Sequence, residues 1–301
     1  MGEDYNKDSS LFFCSQLKLV KGVFMFQFPP MLPSPTSAEE TWERLHRVIR
    51  YKDFSRMDYR PSVFTHTKRL RAVVKHVAAE AESVFFLENF DTQKALAIVD
   101  VHDWPEVITD DVSIVAQDHM TPAEKAERDR RDRIAIDMLS ESMPTTYMGY
   151  GLRQLLLHAH HKDCLEAKLV KWLDWMDAIC EILHELLAGN RSFIRAIIRS
   201  SAGADVVRKK FPELKPLWER GSSEILRVDF GKHDVSYVDA SLYDHVEDGH
   251  TRESIEIPTD IPYYNVWRSA VKEDLGEYGI ASLIEKKERK GFRRPALALV
   301  S

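Results

Sequence analysis

With 301 residues, 44% of them hydrophobic, the chain is long enough to bury a full core, which excludes a disordered polypeptide. Acidic residues outnumber basic ones by 48 to 42, and the net charge of −6 argues against long nucleic acid as a partner held by counterion release. The cysteines Cys14, Cys164 and Cys180 are odd in number, far apart and without metal-ligand spacing, which suits a reducing, intracellular setting rather than a disulfide framework.

In chain order, the apolar segment Val23-Phe24-Met25-Phe26 is too short for a membrane span and wrongly flanked for a signal peptide. Pro29-Pro30-Met31-Leu32-Pro33-Ser34-Pro35 then continues neither a helix nor a central strand and reads as a linker. Ser37, with Glu40 three residues on, is a capping-box pattern and predicts a helix to about Arg50. From His66 to about Phe90, the residues Leu70, Val73, Val74, Val77, Ala81, Val84 and Phe85 recur at three and four, the period of an amphipathic helix with His66 on the same face. A shorter helix is predicted over Thr92 to His102 and is broken by Trp104-Pro105, which leaves His102 and Asp103 at a helix end.

Thr121-Pro122-Ala123-Glu124 is a second capping box and opens a highly charged helix to about Met138. Residues 164–188 form the most apolar helix, stopped by Gly189-Asn190, with Asp174, Asp177, Glu181, His184 and Glu185 on one stripe. Further helices are predicted from Ser192 to about Lys210 and from about Val266 to Arg289, and the alternation Ile225-Leu226-Arg227-Val228 allows a small hairpin between them. The expected fold is all-α: a helical bundle over 36–190, preceded by the segment and linker 1–35 and followed by a mostly helical extension over 191–301.

Taken singly, the polar residues on these helices have ordinary readings. A histidine on an apolar face is more often a hydrogen-bonded core residue than a ligand, and Asp174 or Asp177 fits a solvated stripe. Their order along the chain is more specific. His66, then His102-Asp103-Trp104-Pro105-Glu106-Val107-Ile108-Thr109-Asp110-Asp111, then Glu124-Lys125 with Arg128, then Glu166-Ala167-Lys168-Leu169-Val170-Lys171-Trp172-Leu173-Asp174 resemble the HD-domain phosphohydrolases. Within that group the pattern is similar to the bacterial 5′-deoxynucleotidases and their eukaryotic HD-domain-containing relatives, from about Arg50 to Asn190.

The resemblance implies one divalent transition metal held by His66, His102, Asp103 and Asp174. Two imidazoles and two carboxylates suit Co²⁺, Mn²⁺, Fe²⁺, Ni²⁺ or Zn²⁺, and such an ion polarises a phosphoryl oxygen and activates water. It further implies that Glu106 is the general acid or base and that Asp111 contacts the sugar 3′-hydroxyl. Arg50-Tyr51 resembles the family's arginine-aromatic pair, which holds phosphate and stacks on a base, with Arg56 a second candidate for phosphate. Asp110 replaces a glycine usual in the family, and Lys171 is an orienting group or surface. The cluster His158, His160 and His161 invites a second metal, but its polar setting reads as an exposed loop and the resemblance assigns it no role.

The activity expected is removal of the 5′-phosphate from deoxynucleoside monophosphates. Triphosphate removal from deoxynucleoside triphosphates is the enzymatic alternative, and a non-catalytic nucleotide-sensing or assembly module the alternative of another class. A nucleotide is thus the expected small-molecule partner of a cytoplasmic homodimer or larger homo-oligomer with no membrane contact.

Overall fold

A computed structural model describes residues 17–20, 23–52, 61–85, 89–112, 117, 120–187, 193–218, 224–229, 234–239, 254–258 and 267. Strands β1 (Leu17–Val20) and β2 (Val23–Phe26) form an antiparallel hairpin ahead of the proline-rich stretch. Helix α1 (Ala38–Leu45) is capped by Ser37, whose side chain accepts from the Glu40 N–H, while the Glu40 carboxylate accepts from the Thr36 N–H at 2.8 Å. It stops short of the predicted Arg50 because the chain is drawn into extended pairing with the segment before the next helix. Arg50 N–H donates to the Pro61 carbonyl and Val63 N–H to the Val48 carbonyl, around a bridge between Ile49 and Ser62. That pairing sets Arg50 and Tyr51 beside the start of α2.

Helix α2 (Val63–Val84) begins earlier than predicted, on a Ser62 cap, so His66 falls in its first turn. Helix α3 (Thr92–Val101) is capped by Asp91 and ends on His102, as its sequence pattern predicts. A short helix α4 (Glu106–Thr109) follows directly. Helix α5 (Pro122–Ser142) has both halves of the Thr121–Glu124 capping box and runs past the predicted Met138. After the two-residue strands β3 (Thr146–Tyr147) and β4 (Tyr150–Gly151), helix α6 (Leu152–His161) closes on Lys162 in the left-handed conformation.

Helix α7 (Leu165–Leu187) is central: it packs against α2, α3, α6 and the next helix, α8 (Ile194–Lys210). An element apolar on most of its circumference has to be enclosed, and Trp172, Leu173, Met176, Ile179 and Leu183 are all buried. The buried cluster continues beyond residue 190 through Phe193, Ile197, Val207, Phe211 and Leu214 to Trp267. A Cβ on Gly203 of α8 would lie 2.6 Å from the Trp175 ring, so glycine is what allows this close approach.

Beyond a 3₁₀ turn and helix α9 (Lys215–Trp218), β5 (Glu224–Asp229) is the middle strand of an antiparallel sheet, between β6 (Asp234–Asp239) and β7 (Ser254–Pro258). The alternation at Ile225–Val228 therefore has two partners rather than one. The helix predicted over 266–289 lies outside the described residues apart from Trp267. The fold is the expected all-α bundle with these small sheets added. Among the described residues no helix is long and apolar enough to cross a membrane.

One feature of α7 departs from the solvated-stripe reading. Asp177, Glu181 and Glu185 are each only 1% exposed. Asp177 and Glu181 are matched there by Arg69 of α2, itself fully buried, through salt bridges to both. Carboxylates buried at this depth need such partners to offset their desolvation.

Candidate active site

The fully buried His66 ring has Nδ1 2.7 Å from Asp177 Oδ2. A carboxylate only accepts, so Nδ1 carries a proton, and in the neutral ring this leaves the Nε2 lone pair free for a ligand role. His102, at the end of α3, has Nδ1 2.6 Å from the Val99 carbonyl oxygen, which fixes the same tautomer. Both Nε2 atoms are buried without a hydrogen-bond partner. They converge: His66 Nε2 lies 3.2 Å from Asp174 Oδ1 and 3.5 Å from Asp103 Oδ2, and His102 Nε2 lies 3.1 Å from Asp103 Oδ2. Two imidazole nitrogens buried without a partner are costly, and the ligand atoms of His66, His102 and Asp103 lie within 4.8 Å of one another, close enough to share a divalent cation, with Asp174 Oδ1 adjoining His66. The residues present fit such an ion.

Each group is held from behind. Asp177 receives the Arg69 guanidinium through Nε at 3.1 Å and Nη2 at 3.0 Å, and the Trp267 indole N–H at 2.7 Å. Against its burial, Arg69 and His66 keep the Asp177 carboxyl far below the usual carboxylate range. Asp174 Oδ2 accepts from Lys171 Nζ at 2.7 Å, which turns Oδ1 toward His66 and makes Lys171 an orienting group. Glu166 accepts from the Asp91 N–H and from Lys94 Nζ, both at 3.2 Å, and so ties α7 to the start of the helix that ends in His102-Asp103.

These groups open onto a cavity of about 270 Å³ lined by Arg50, Tyr51, Glu106, Asp111, Lys162 and Trp175, among others. Glu106 N–H donates to the Asp103 carbonyl at 3.0 Å, so Glu106 stands one tight turn past Asp103, as the sequence implies. Its Oε2 is buried without a partner, and burial, with Asp103 and Asp111 nearby, pushes its carboxyl well above the usual range. Arg50 Nη1 lies 3.9 Å from Asp103 Oδ2. The Tyr51 ring meets Phe193 edge-on, with centroids 6.1 Å apart. Arg56 lies outside the described residues.

A family described as 5′-deoxynucleotidase YfbR-like matches residues 40–214. The chain belongs to that family. Similar proteins include the 5′-deoxynucleotidases of Yersinia pestis (strain Pestoides F) and Yersinia pseudotuberculosis serotype O:3 (strain YPIII). Each is 31% identical over 128 residues, which is 42% of this chain and 64% of the relative. The match to these relatives thus spans a little under two thirds of their length.

Within this family member, Asp110 stands in a backbone conformation that favours glycine. It adopts φ 65° and ψ 155°, with its carboxylate bonded to Lys52 Nζ at 2.6 Å and to the Asp111 N–H at 3.0 Å. The three-histidine cluster does not converge: His158 pairs with Asp163, and His160 Nε2 lies 3.1 Å from Asp129. His158 is grouped instead with Asp163 and Cys164, whose thiol burial pushes up to about 11, so a thiolate ligand is disfavoured at neutral pH.

Sequence reading missed three participants. Arg69 was detectable as a charged residue on an otherwise apolar helix face, three positions after His66. Lys162 had no local signal; its left-handed backbone and a 2.7 Å bond to the His160 carbonyl place it on the cavity wall. Burial and the nearby Lys171, Lys210 and Arg128 push its ammonium down to about 8. Trp267 lies 90 positions beyond Asp177 and could be placed only by folding.

Proposed function

We propose that this chain is a metal-dependent phosphohydrolase that removes the 5′-phosphate of deoxynucleoside monophosphates. The observation that carries the reading is the pair of buried, unpartnered imidazole nitrogens facing Asp103 and Asp174 beside the buried Glu106 carboxyl. A divalent ion held by His66, His102, Asp103 and Asp174, of the Co²⁺, Mn²⁺, Fe²⁺, Ni²⁺ or Zn²⁺ group, supplies Lewis-acid polarisation of the phosphoryl oxygen and activation of water. Asp177 and the Val99 carbonyl keep the two imidazoles turned toward that position, and Lys171 keeps Asp174 there.

The upward shift of the Glu106 carboxyl favours its protonated form, which suits it to give a proton to the departing 5′-oxygen. Arg50 and Lys162 offer the phosphate cationic donors on the cavity wall, and the crowding of Lys162 by other cations is relieved when an anion arrives. Asp111 is positioned as an acceptor for the sugar hydroxyl, and Tyr51 with Trp175 provides flat surface for a base. Membership of a family described as 5′-deoxynucleotidase YfbR-like favours monophosphate removal over triphosphate removal. Presence of all four ligands together with Glu106 favours catalysis over the sensing or assembly reading. A cytoplasmic setting and self-association complete the proposal.

Phosphate release should be measured from ribo- and deoxynucleoside mono-, di- and triphosphates with Mn²⁺ or Co²⁺, for the parent chain and Asp174→Ala. Inorganic phosphate from deoxynucleoside monophosphates, lost in the variant, is the expected result. Inorganic triphosphate as the product would transfer the reading to the triphosphohydrolase alternative. No hydrolysis despite one bound metal per chain would overturn the enzymatic reading.

A further inference from the structure

The family match ends at residue 214, yet a side chain beyond it reaches the support of the metal centre. Trp267 is 1% exposed, and its ring centroid lies 5.7 Å from the guanidinium carbon of Arg69. Its indole N–H donates to Asp177 Oδ1, the oxygen that also accepts from Arg69 Nε. Asp177 Oδ2 accepts from Arg69 Nη2 and from His66 Nδ1. A carboxylate has about four lone-pair positions, so these four donors fill it. Arg69, binding both oxygens, sets the plane of the group, while Trp267 and His66 take one outer position on each oxygen.

We infer that Trp267 is a positioning residue for the metal centre: by occupying the remaining acceptor position of Asp177, it keeps that carboxylate turned to His66 and the imidazole Nε2 turned to Asp103 and Asp174. At 1% exposure water does not take over the role of the lost indole, and an acceptor left empty in such surroundings is costly. The carboxylate then gains by rotating toward other donors, and the His66 ring follows it. The C-terminal segment thereby contributes to metal affinity through a single hydrogen bond, although it supplies none of the proposed ligands. This inference rests on the ligand set proposed above.

The test uses the full chain and Co²⁺ alone as probe, with affinity read by competition against a chelating dye and ligand geometry by the visible absorption of the bound ion. Trp267→Phe keeps an aromatic ring and removes the N–H. A second variant carries benzothienylalanine at 267, a near-isostere in which sulfur replaces the N–H, so it decides the matter if the phenylalanine variant does not fold. Loss of a metal-binding histidine's own outer partner, here Asp177, typically weakens affinity about 10–100-fold; Trp267 acts one bond further out and Arg69 remains, so the expected loss is at the low end, about tenfold, with an altered Co²⁺ spectrum. Co²⁺ affinity of the isostere within about twofold of the parent, with an unchanged spectrum, would reduce Trp267 to packing and overturn the inference. Asp174→Ala separates the two levels. Were it to bind Co²⁺ as the parent does, the ligand set itself would fail and this inference with it.

Discussion

Asp110 occupies backbone angles, φ 65° and ψ 155°, that are essentially reserved for glycine. Holding a side chain there costs about 1–3 kcal/mol. Asp110→Gly removes that strain but adds about 0.4–1 kcal/mol of unfolded-chain freedom. It also loses the ion pair with Lys52, whose partners are 29% and 35% exposed and whose worth is therefore about 0–1 kcal/mol, and the hydrogen bond from the Asp111 N–H, worth about 0.5–1.5 kcal/mol. Taking mid-range values, the glycine variant is close to the parent in stability. Asp110→Ala loses the same two contacts and keeps the strain, so it is destabilised by about 1.5 kcal/mol. The glycine-minus-alanine difference isolates the backbone contribution at about 1–2 kcal/mol, or a few degrees in Tm for a chain of this size. Thermal and urea unfolding of both variants, metal-free, measures it. An alanine variant as stable as the glycine variant would refute the strain argument, since no other contact distinguishes the two.

Glu106→Gln should leave Co²⁺ affinity within a few-fold of the parent while lowering phosphate release about 10²–10⁴-fold, the usual contribution of a proton-transfer group. The same substitution has a pH signature in the metal-free protein. A carboxyl raised above its model value of 4.5 binds its proton more tightly when folded, so its contribution is complete below that pH and is lost as pH climbs through the folded value. Urea unfolding against pH should show that decline in the parent and a flatter profile in Glu106→Gln. Lys162 has the opposite sign. Its ammonium is pushed from 10.5 down to about 8, so the unfolded chain holds a proton that the folded one has released between those values, and stability rises with pH across that window. Lys162→Met should remove this rise and weaken inorganic phosphate binding about 10–100-fold at neutral pH, measured by calorimetry. Gly203→Ala sets about 1 kcal/mol of helix propensity against about 1–3 kcal/mol of overpacking on Trp175. A modest net loss of stability and a raised KM, from displacement of a cavity-lining ring, are expected; a variant more stable than the parent with unchanged KM would show that the ring yields freely.

Much of this protein is written in local pattern. Ser37, Thr121 and Pro122 mark helix starts by their own chemistry, and the apolar spacing of α2 and the breaker after His102 place His66 and the His102-Asp103 pair on their helices without reference to the rest of the chain. The motif around them was specific enough to nominate Asp174 and Glu106 in addition. What one helix meets is a different kind of fact. Periodicity shows that Asp174, Asp177, Glu181 and Glu185 share a stripe, but only the packing of α2 against α7 turns that stripe inward onto Arg69. The early end of α1 comes from pairing with residues 61–63, and the cavity-facing place of Lys162 comes from a backbone conformation that its local sequence does not announce. The Trp267 hydrogen bond spans 90 positions. Helix caps and periodicities depend on neighbours within a turn or two, whereas desolvation and ion pairing depend on whichever distant segments the core brings together, and the tertiary structure alone decides those.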